Sequence, residues 1–398
     1  MSKITSNKLT LSACCVTHGI HDGLSSSVYV LLPILAQHFS LGFSQIGLIR
    51  AVYTGAMWLL EIPAGILSER LGERRLLVFG IIGSGIGFFS VSFTEGYYGV
   101  LLALFVAGCG AAFQHSLCSS LISKSFGEPE RRIALGSYNA SGDTGKLAFT
   151  LVASSLFGIG VGWQSITLGY GLLAIAVALT IWILLNAKIA GKLSAIKLKE
   201  VADFNSWGIK DRLGFTNLAA IVFLDSLIQD GFLVFITFVM IEKQVSSGLI
   251  AFAVAATLSG GVCGKIAGGI LAARIGVIRS IVLFELLTAI GIMLVFYAPG
   301  DIPFFLLPLV GIFLQGSSSI TYGTVSNLVN TKQQSRGFSI IYTIANSASF
   351  VGPAIFGLII DFLGFKVLMM IMATLVLVTL PLCYLLKSTL EKIQSSIS

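Results

Sequence analysis

Stretches of about twenty apolar residues, the length a membrane-spanning helix needs, recur from one end of the chain to the other with short polar segments between them. The pattern predicts helices near 10–36, 44–67, 76–93, 97–122, 135–159, 163–186, 213–240, 246–271, 279–298, 303–327, 337–362 and 366–386. The longest interior polar stretch, 187–212, separates six helices from six. The expected fold class is therefore an all-α membrane protein of twelve transmembrane helices. It is expected to be two six-helix bundles, 1–186 and 213–398, joined by a linker at 187–212 and related by pseudo-two-fold symmetry.

Composition supports this class. The 398 residues are 55% hydrophobic and 11% charged, whereas soluble domains carry about 25% charged residues. The net charge of +7 would suit a nucleic-acid partner, but the placement of the charges argues otherwise. With the N-terminus inside the cell, most of the 25 lysines and arginines fall in cytoplasmic segments. This is the positive-inside bias, so both termini are expected in the cytoplasm and no nucleic acid is expected. The six cysteines (Cys14, Cys15, Cys109, Cys118, Cys263 and Cys383) lie within helices without C-x-x-C spacing and read as packing residues. No cleavable signal peptide is expected, because the first apolar run is long and continues through a polar cluster. The short loops leave no room for a soluble catalytic domain, so no enzyme activity and no cofactor are expected.

The two halves repeat one plan. A shift of about 204 positions brings Gly65-Ile66-Leu67 onto Gly269-Ile270-Leu271, Arg70 onto Arg274, Gly72 onto Gly276, Arg75 onto Arg279, Arg132 onto Arg336 and Tyr138 onto Tyr342, a duplication typical of transporters. Between helices 2 and 3 stands Gly65-Ile66-Leu67-Ser68-Glu69-Arg70-Leu71-Gly72-Glu73-Arg74-Arg75. It resembles the signature loop of the major facilitator superfamily, G-x-x-x-D-R-x-G-R-R/K, with Glu69 in place of Asp and Glu73 in place of Arg. The resemblance implies a cytoplasmic gate built from Gly65, Glu69, Arg70, Gly72 and Arg74. A closer likeness covers the first 120 residues. His18-x-x-x-Asp22, Tyr29-x-Leu31-Leu32-Pro33, Phe39-Ser40-Leu41, Gln45-Ile46-Gly47 and Gly108-x-Gly110 followed by His115 resemble the fosmidomycin-resistance type of bacterial drug exporter. Ser116-Leu117 depart from the Pro-Glu of that type.

The chemistry sits in the hydrocarbon. His18, His21 and Asp22 lie inside helix 1, where ionisable groups cost roughly 2.5–3.5 kcal/mol each on insertion scales. His18 and Asp22, four apart, share a helix face that Ser25, Ser26 and Tyr29 continue. This face is expected to meet a wet cavity. Two readings stay open: a proton-coupling site, or a static His–Asp pair satisfied in a packed interior. Arg50 and Glu61 lie on helix 2, and His115 with Gln114 on helix 4. Helix 5 carries Asn139, Asp143 and Lys146, the last two able to pair at i,i+3. Helix 7 carries Asp225 and Asp230, and helix 10 a neutral face of Gln315, Ser318, Ser319 and Tyr322. The superfamily's arrangement of helices implies that Tyr29, His115, Asn139, Asp143, Lys146, Asp225, Asp230, Gln315, Ser319 and Tyr322 line the substrate cavity. The small-residue run Ser259–Gly269 reads as helix packing.

No G-x-x-x-x-G-K-[ST] motif is present, so the expected energy source is an ion or substrate gradient. Histidine titrates near neutrality and burial tunes a carboxylate, which makes Asp22, His18 and His21 candidates for proton coupling. The leading expectation is a proton-coupled antiporter for efflux of small amphipathic or drug-like compounds, conferring drug resistance. It would sit in the bacterial inner membrane as a monomer, with a small-molecule substrate, the proton and the lipid bilayer as its partners. A second reading takes His18, His21, Asp22 and His115 as ligands for a divalent metal ion or metal chelate, since Asp-and-His sites on the first helix occur in iron exporters of that superfamily. A third is a non-transporting scaffold or sensor.

Overall fold

The computed structural model describes residues 3–127, 130–186, 208–330 and 334–395. Among the described residues the secondary structure is helical, apart from one antiparallel bridge between Ile209 and Val329. The helices are α1 (Lys3–Phe39), α2 (Phe43–Leu71), α3 (Glu73–Val91), α4 (Tyr97–Ala111), α5 (His115–Ser125), α6 (Glu130–Gly158), α7 (Trp163–Asn186), α8 (Arg212–Glu242), α9 (Ser247–Ile250), α10 (Ala253–Ile275), α11 (Val277–Tyr297), α12 (Ile302–Leu328) and α13 (Gln334–Ser395). Among the described residues nine stretches are long and apolar enough to cross a membrane. One of them, Gly337–Glu391, is 55 residues long and breaks at Gly364, whose φ of 78° ends one helix and starts the next. It therefore holds two passes. α2 and α6, which carry Arg50, Glu61, Asp143 and Lys146, supply the remaining two. Twelve passes result, as the hydrophobic pattern predicts.

Three boundaries differ from the sequence reading. The fourth pass is two helices, because a tight turn at Ala112–Gln114 interrupts it before His115. The predicted loop between the second and third passes is helical to Leu71, and the turn is Gly72 alone. The predicted linker 187–212 lies outside the described residues up to 207. Its described end is anchored, with Lys210 N–H donating to Leu328 O at 2.9 Å and Asp211 capping α8 through the Gly214 amide at 2.6 Å.

The chain divides into two compact units: Met1–Leu41 with Leu48–Ile196, and Gly42–Gly47 with Lys197–Ser398. In the first unit α1 packs along α6, and α3 packs against α4 and α7. Glycines make the α1–α6 seam. A Cβ on Gly19 would lie 3.3 Å from Ser141 O, and one on Gly145 would collide with the Gly19 carbonyl. In the second unit α10 packs along α12, and α8 along α13. Gly260, Gly264 and Gly268, spaced four apart on one helix face, rest on the backbone carbonyls of Pro308, Ile312 and Gly316. The Ser259–Gly269 run is a packing seam. Without a hydrophobic difference between lipid and side chain, close backbone approach is what holds such helices together.

The duplicated turn is the same object twice. Gly72 has φ 87° and ψ 132°, Gly276 φ 93° and ψ 156°, a region in which glycine alone is unstrained. Each amide donates back to the preceding helix, to Ser68 O at 2.9 Å and to Ala272 O at 3.1 Å.

Candidate functional site

α6 lies close against α1 along its polar cluster because glycines leave no side chains in between. Gly142 faces His18 and Asp22, and a Cβ there would lie 2.7 Å from His18 Nε2 and 2.8 Å from Asp22 Oδ2. Three histidines and a lysine converge on that one carboxylate. Asp22 Oδ2 lies 3.1 Å from Lys146 Nζ and 3.4 Å from His18 Nε2, and Oδ1 lies 3.6 Å from His21 Nε2 and 3.9 Å from His115 Nε2. Lys146 also reaches Asp143 Oδ1 at 3.6 Å, so it bridges two acids rather than choosing between them. The imidazole of His115 meets those of His18 and His21 edge-on, with ring centroids 5.1 and 4.9 Å apart.

One contact fixes chemistry. His18 Nδ1 is 2.7 Å from the Tyr138 carbonyl oxygen, which can only accept. Nδ1 therefore carries hydrogen, and in a neutral ring Nε2 presents a lone pair to Asp22. Two lone pairs facing each other at 3.4 Å repel. The His18–Asp22 contact is attractive only when one further proton, or another cation, sits between them.

The expected wet face of α1 is instead packed. His18, His21 and Asp22 are 5%, 4% and 5% exposed. Their partners are more open: the side chains of His115 and Lys146 are 35% and 32% exposed. Tyr29 belongs elsewhere. Its hydroxyl accepts from Arg50 Nη2 at 2.7 Å, Ser25 accepts from Nη1 through both its carbonyl and its hydroxyl, and the guanidinium lies 4.3 Å from the Tyr29 ring centroid. Asn139 is exposed, next to the buried Tyr138.

The neutral α12 face predicted to meet substrate is distributed among neighbours. Gln315 lies against Gly261 of α10, Ser318 bonds its own helix at Gln315 O, Ser319 donates to Lys265 O at 2.8 Å, and Tyr322 stacks on Tyr342 with centroids 5.0 Å apart. Asp225 is buried and accepts from Ser317, whereas Asp230 is half-buried five residues on, so the two aspartates do not share a site. Of the predicted gate, the side chains of Gly65, Glu69 and Arg70 lie outside the described residues, and Arg74 is half-buried. Sequence reasoning missed the role of one acid and passed over another. Glu73 on α3 accepts from Lys124 Nζ at 2.7 Å and from Ser120 Oγ, bracing α3 to α5. Glu285 is buried in α11, and its signal is plain in retrospect: it is the single acid of Val277–Tyr297.

A metal could find three ligands. One ligand atom from each of His18, Asp22 and His115 lies within 4.8 Å of the others. Bond lengths of about 2.0–2.1 Å would require closer approach, and His21 stands outside that group.

The sequence model of the Major Facilitator Superfamily matches residues 14–211 and 218–396. The chain is 24% identical over 139 residues to the uncharacterized MFS-type transporter YfnC of Bacillus subtilis (strain 168), covering 35% of this chain and 34% of that one. It is 34% identical over 102 residues to the class G tetracycline resistance protein of Vibrio anguillarum, covering 25% and 26%. The matches thus span about a third or less of the length of these relatives. Among solved structures, a bacterial homologue of the human lysosomal transporter Spinster, in an inward-facing and unoccupied conformation, superposes with a TM-score of 0.81 at 15% identity, covering 97% of this chain and 98% of that one. That likeness is one of fold.

Proposed function

The chain belongs to the Major Facilitator Superfamily, a transporter family, and on that premise we propose that it is a proton-coupled secondary active transporter exporting small amphipathic or drug-like compounds by alternating access. The observation that carries the coupling is the His18–Asp22 contact. With Nδ1–H committed to the Tyr138 carbonyl, Nε2 and the carboxylate compete for, and then share, one arriving proton. Lys146 holds Asp22 when that proton is absent, and Asp143 keeps Lys146 in place when it is present. His115 and Lys146, each about a third exposed, carry the connection outward.

Drug export rests on two likenesses: the first 120 residues to the fosmidomycin-resistance type, and a quarter of the chain to a tetracycline resistance protein. In this reading the protein is a monomer in the bacterial inner membrane with both termini cytoplasmic. The Glu69–Arg74 segment gates, and Asn139, Asp143 and Asp230, the predicted cavity positions left exposed or half-buried, meet substrate together with His115 and Lys146.

The test is transport in vesicles with an imposed pH gradient, across a panel of amphipathic compounds and divalent metals. Asp22→Asn imitates the protonated acid. It should bind substrate and catalyse counterflow, yet lose gradient-driven accumulation. Full accumulation by Asp22→Asn would remove Asp22 from the coupling mechanism.

The His18, Asp22 and His115 ligand set favours one second reading, a divalent metal as cargo. Lys146 opposes it, because an ammonium 3.1 Å from the carboxylate occupies the place of a cation. Metal-gradient transport abolished by His115→Ala, with no response to amphipathic compounds, would make this second reading the correct one.

A further inference from the structure

The second unit buries two carboxylates in apolar helices, with an arrangement opposite to that around Asp22. Asp225 of α8 is 6% exposed and Glu285 of α11 is 2% exposed. Both oxygens of Asp225 accept from the one hydroxyl of Ser317, at 2.8 and 2.9 Å, so two acceptors share a single hydrogen. Glu285 Oε1 is buried without any hydrogen-bond partner. The helices that carry the two acids meet: Val222 of α8, Phe284 of α11 and Cys383 of α13 belong to one buried apolar cluster, and Gly316, beside Ser317, packs on the ring of Phe284, beside Glu285. Among the described residues no lysine, arginine or histidine pairs with either acid.

Two carboxylate anions do not persist in such a place. Each buried ion loses its hydration, and an unpaired buried acceptor adds a further cost. The repulsion between the two adds to this. The cheapest relief is a proton. A proton on either carboxyl removes one of the two charges, and with it the repulsion and most of the desolvation cost of that acid.

We propose that Asp225 and Glu285 form a second proton-binding site, inside the second unit and separate from the Asp22 cluster, that holds one proton on one acid or the other at neutral pH. Ser317 supports the partner that keeps its charge. Binding at this site does not depend on the role assigned to Asp22. Its consequence does rest on the transporter reading: the protein would carry an exchangeable proton in each of its two units.

The experiment is infrared spectroscopy of the purified full-length protein in lipid vesicles, titrated with pH. It compares wild type, Asp22→Asn, Asp225→Asn, Glu285→Gln and the Asp225→Asn/Glu285→Gln double variant. The expected result is a protonated-carboxyl C=O band at neutral pH that survives Asp22→Asn, weakens in each single variant of the pair and is lost in the double. Absence of the band from wild type, or its survival in the double variant, overturns the proposal. So does its collapse on adding sodium chloride at fixed pH, which would make the site an alkali-cation site. Asparagine and glutamine are isosteres of the protonated acids, so both single variants should fold. Failure of both to fold would equally overturn it, since neutralising a site that already holds its proton cannot unfold it. Because the band is read in the Asp22→Asn background too, this site and the Asp22 coupling role fail separately.

Discussion

The two units meet the same difficulty, a carboxylate inside hydrocarbon, with opposite remedies. In the first, Asp22 is ringed by Lys146, His18, His21 and His115 at 3.1–3.9 Å. In the second, Asp225 has one hydroxyl, and Glu285 Oε1 has nothing. An ammonium beside the carboxylate, with imidazoles that can take up a proton, keeps an acid charged and ready to exchange; the absence of basic groups forces one acid of a buried pair to be neutral. The turns of the two units, by contrast, are nearly superposable in backbone angle, at Gly72 and Gly276. The duplication has kept backbone geometry, while the buried chemistry of the two units has diverged.

The largest expected effect comes from stripping each site of the group that defines it. Lys146→Met should destabilise the protein by about 3 kcal/mol, the low end for breaking a buried pair, because a third of the lysine is exposed. Glu285→Gln should fall within about 0.5 kcal/mol of wild type, as an isosteric change to an already neutral group that leaves hydrogen-bonding capacity in place. Thermal unfolding of the purified variants in detergent reads both. A neutral Lys146→Met beside a severe Glu285→Gln would reverse the comparison.

Backbone equivalence is tested by Gly72→Ala and Gly276→Ala. Nothing lies within 4 Å of either hypothetical Cβ, so strain at positive φ is the whole cost, about 2 kcal/mol. The two losses in unfolding free energy should agree within a few tenths of that. A large inequality would mean that one turn is held by something beyond its own dihedral angles.

Ser317→Ala sharpens the contrast at smaller scale. If the acid pair holds a proton, that proton can move to Asp225 once its donor is removed, and the loss stays near that of an ordinary hydrogen bond, about 1 kcal/mol. If Asp225 stands as an unrelieved anion, losing its only donor should cost about 3 kcal/mol. The same unfolding measurement decides between them.

Length and apolarity made the twelve passes legible in the sequence, because a bilayer sets a minimum run that chance seldom supplies. The pair at i,i+4 on α1 was legible for the same local reason. What converges on that pair was harder to read. His115 reaches Asp22 because α4 stops at Ala111 and α5 starts after a three-residue turn, which no hydrophobic pattern announces. Lys146 fits because Gly142 and Gly145 let α6 lie on α1, a statement about the absence of side chains. The α12 stripe of Gln315, Ser319 and Tyr322 has helical spacing, yet spacing does not say that each hydroxyl or amide turns to a neighbouring helix. Glu285 was visible as a letter but carried no partner at short range, and local pairing is what sequence reading detects. Glu73 stood out as a departure from the signature motif, and its role as a brace needed Lys124, 51 residues further on.

The smallest effect belongs to a third acid, Asp301, which lies outside the membrane passes and shows what water does to the same group. At the start of α12 its carboxylate accepts from the Ser246 amide at 2.7 Å and the Ser246 hydroxyl at 2.6 Å. These two hydrogen bonds to the charged form hold its pKa below the usual carboxylate range. A folded pKa below the unfolded one means that stability is present above the unfolded value of about 3.9 and is lost as pH falls through the folded value. The group is fully exposed, so the effect is local. Amide exchange at Ser246, corrected for its intrinsic pH dependence, should stay slow at neutral pH and accelerate below about pH 4. Asp301→Asn should remove that acid-dependent step while leaving global unfolding unchanged. A step that persists in Asp301→Asn would place the acid sensitivity elsewhere. Exchange that is insensitive to pH in the wild type would show that the two hydrogen bonds do not survive in water. Either way the result isolates what burial adds at Asp22 and in the Asp225–Glu285 pair: a carboxylate in water is charged with or without donors beside it, whereas inside the membrane one unit assembles four basic groups around its acid and the other covers two acids with a single proton.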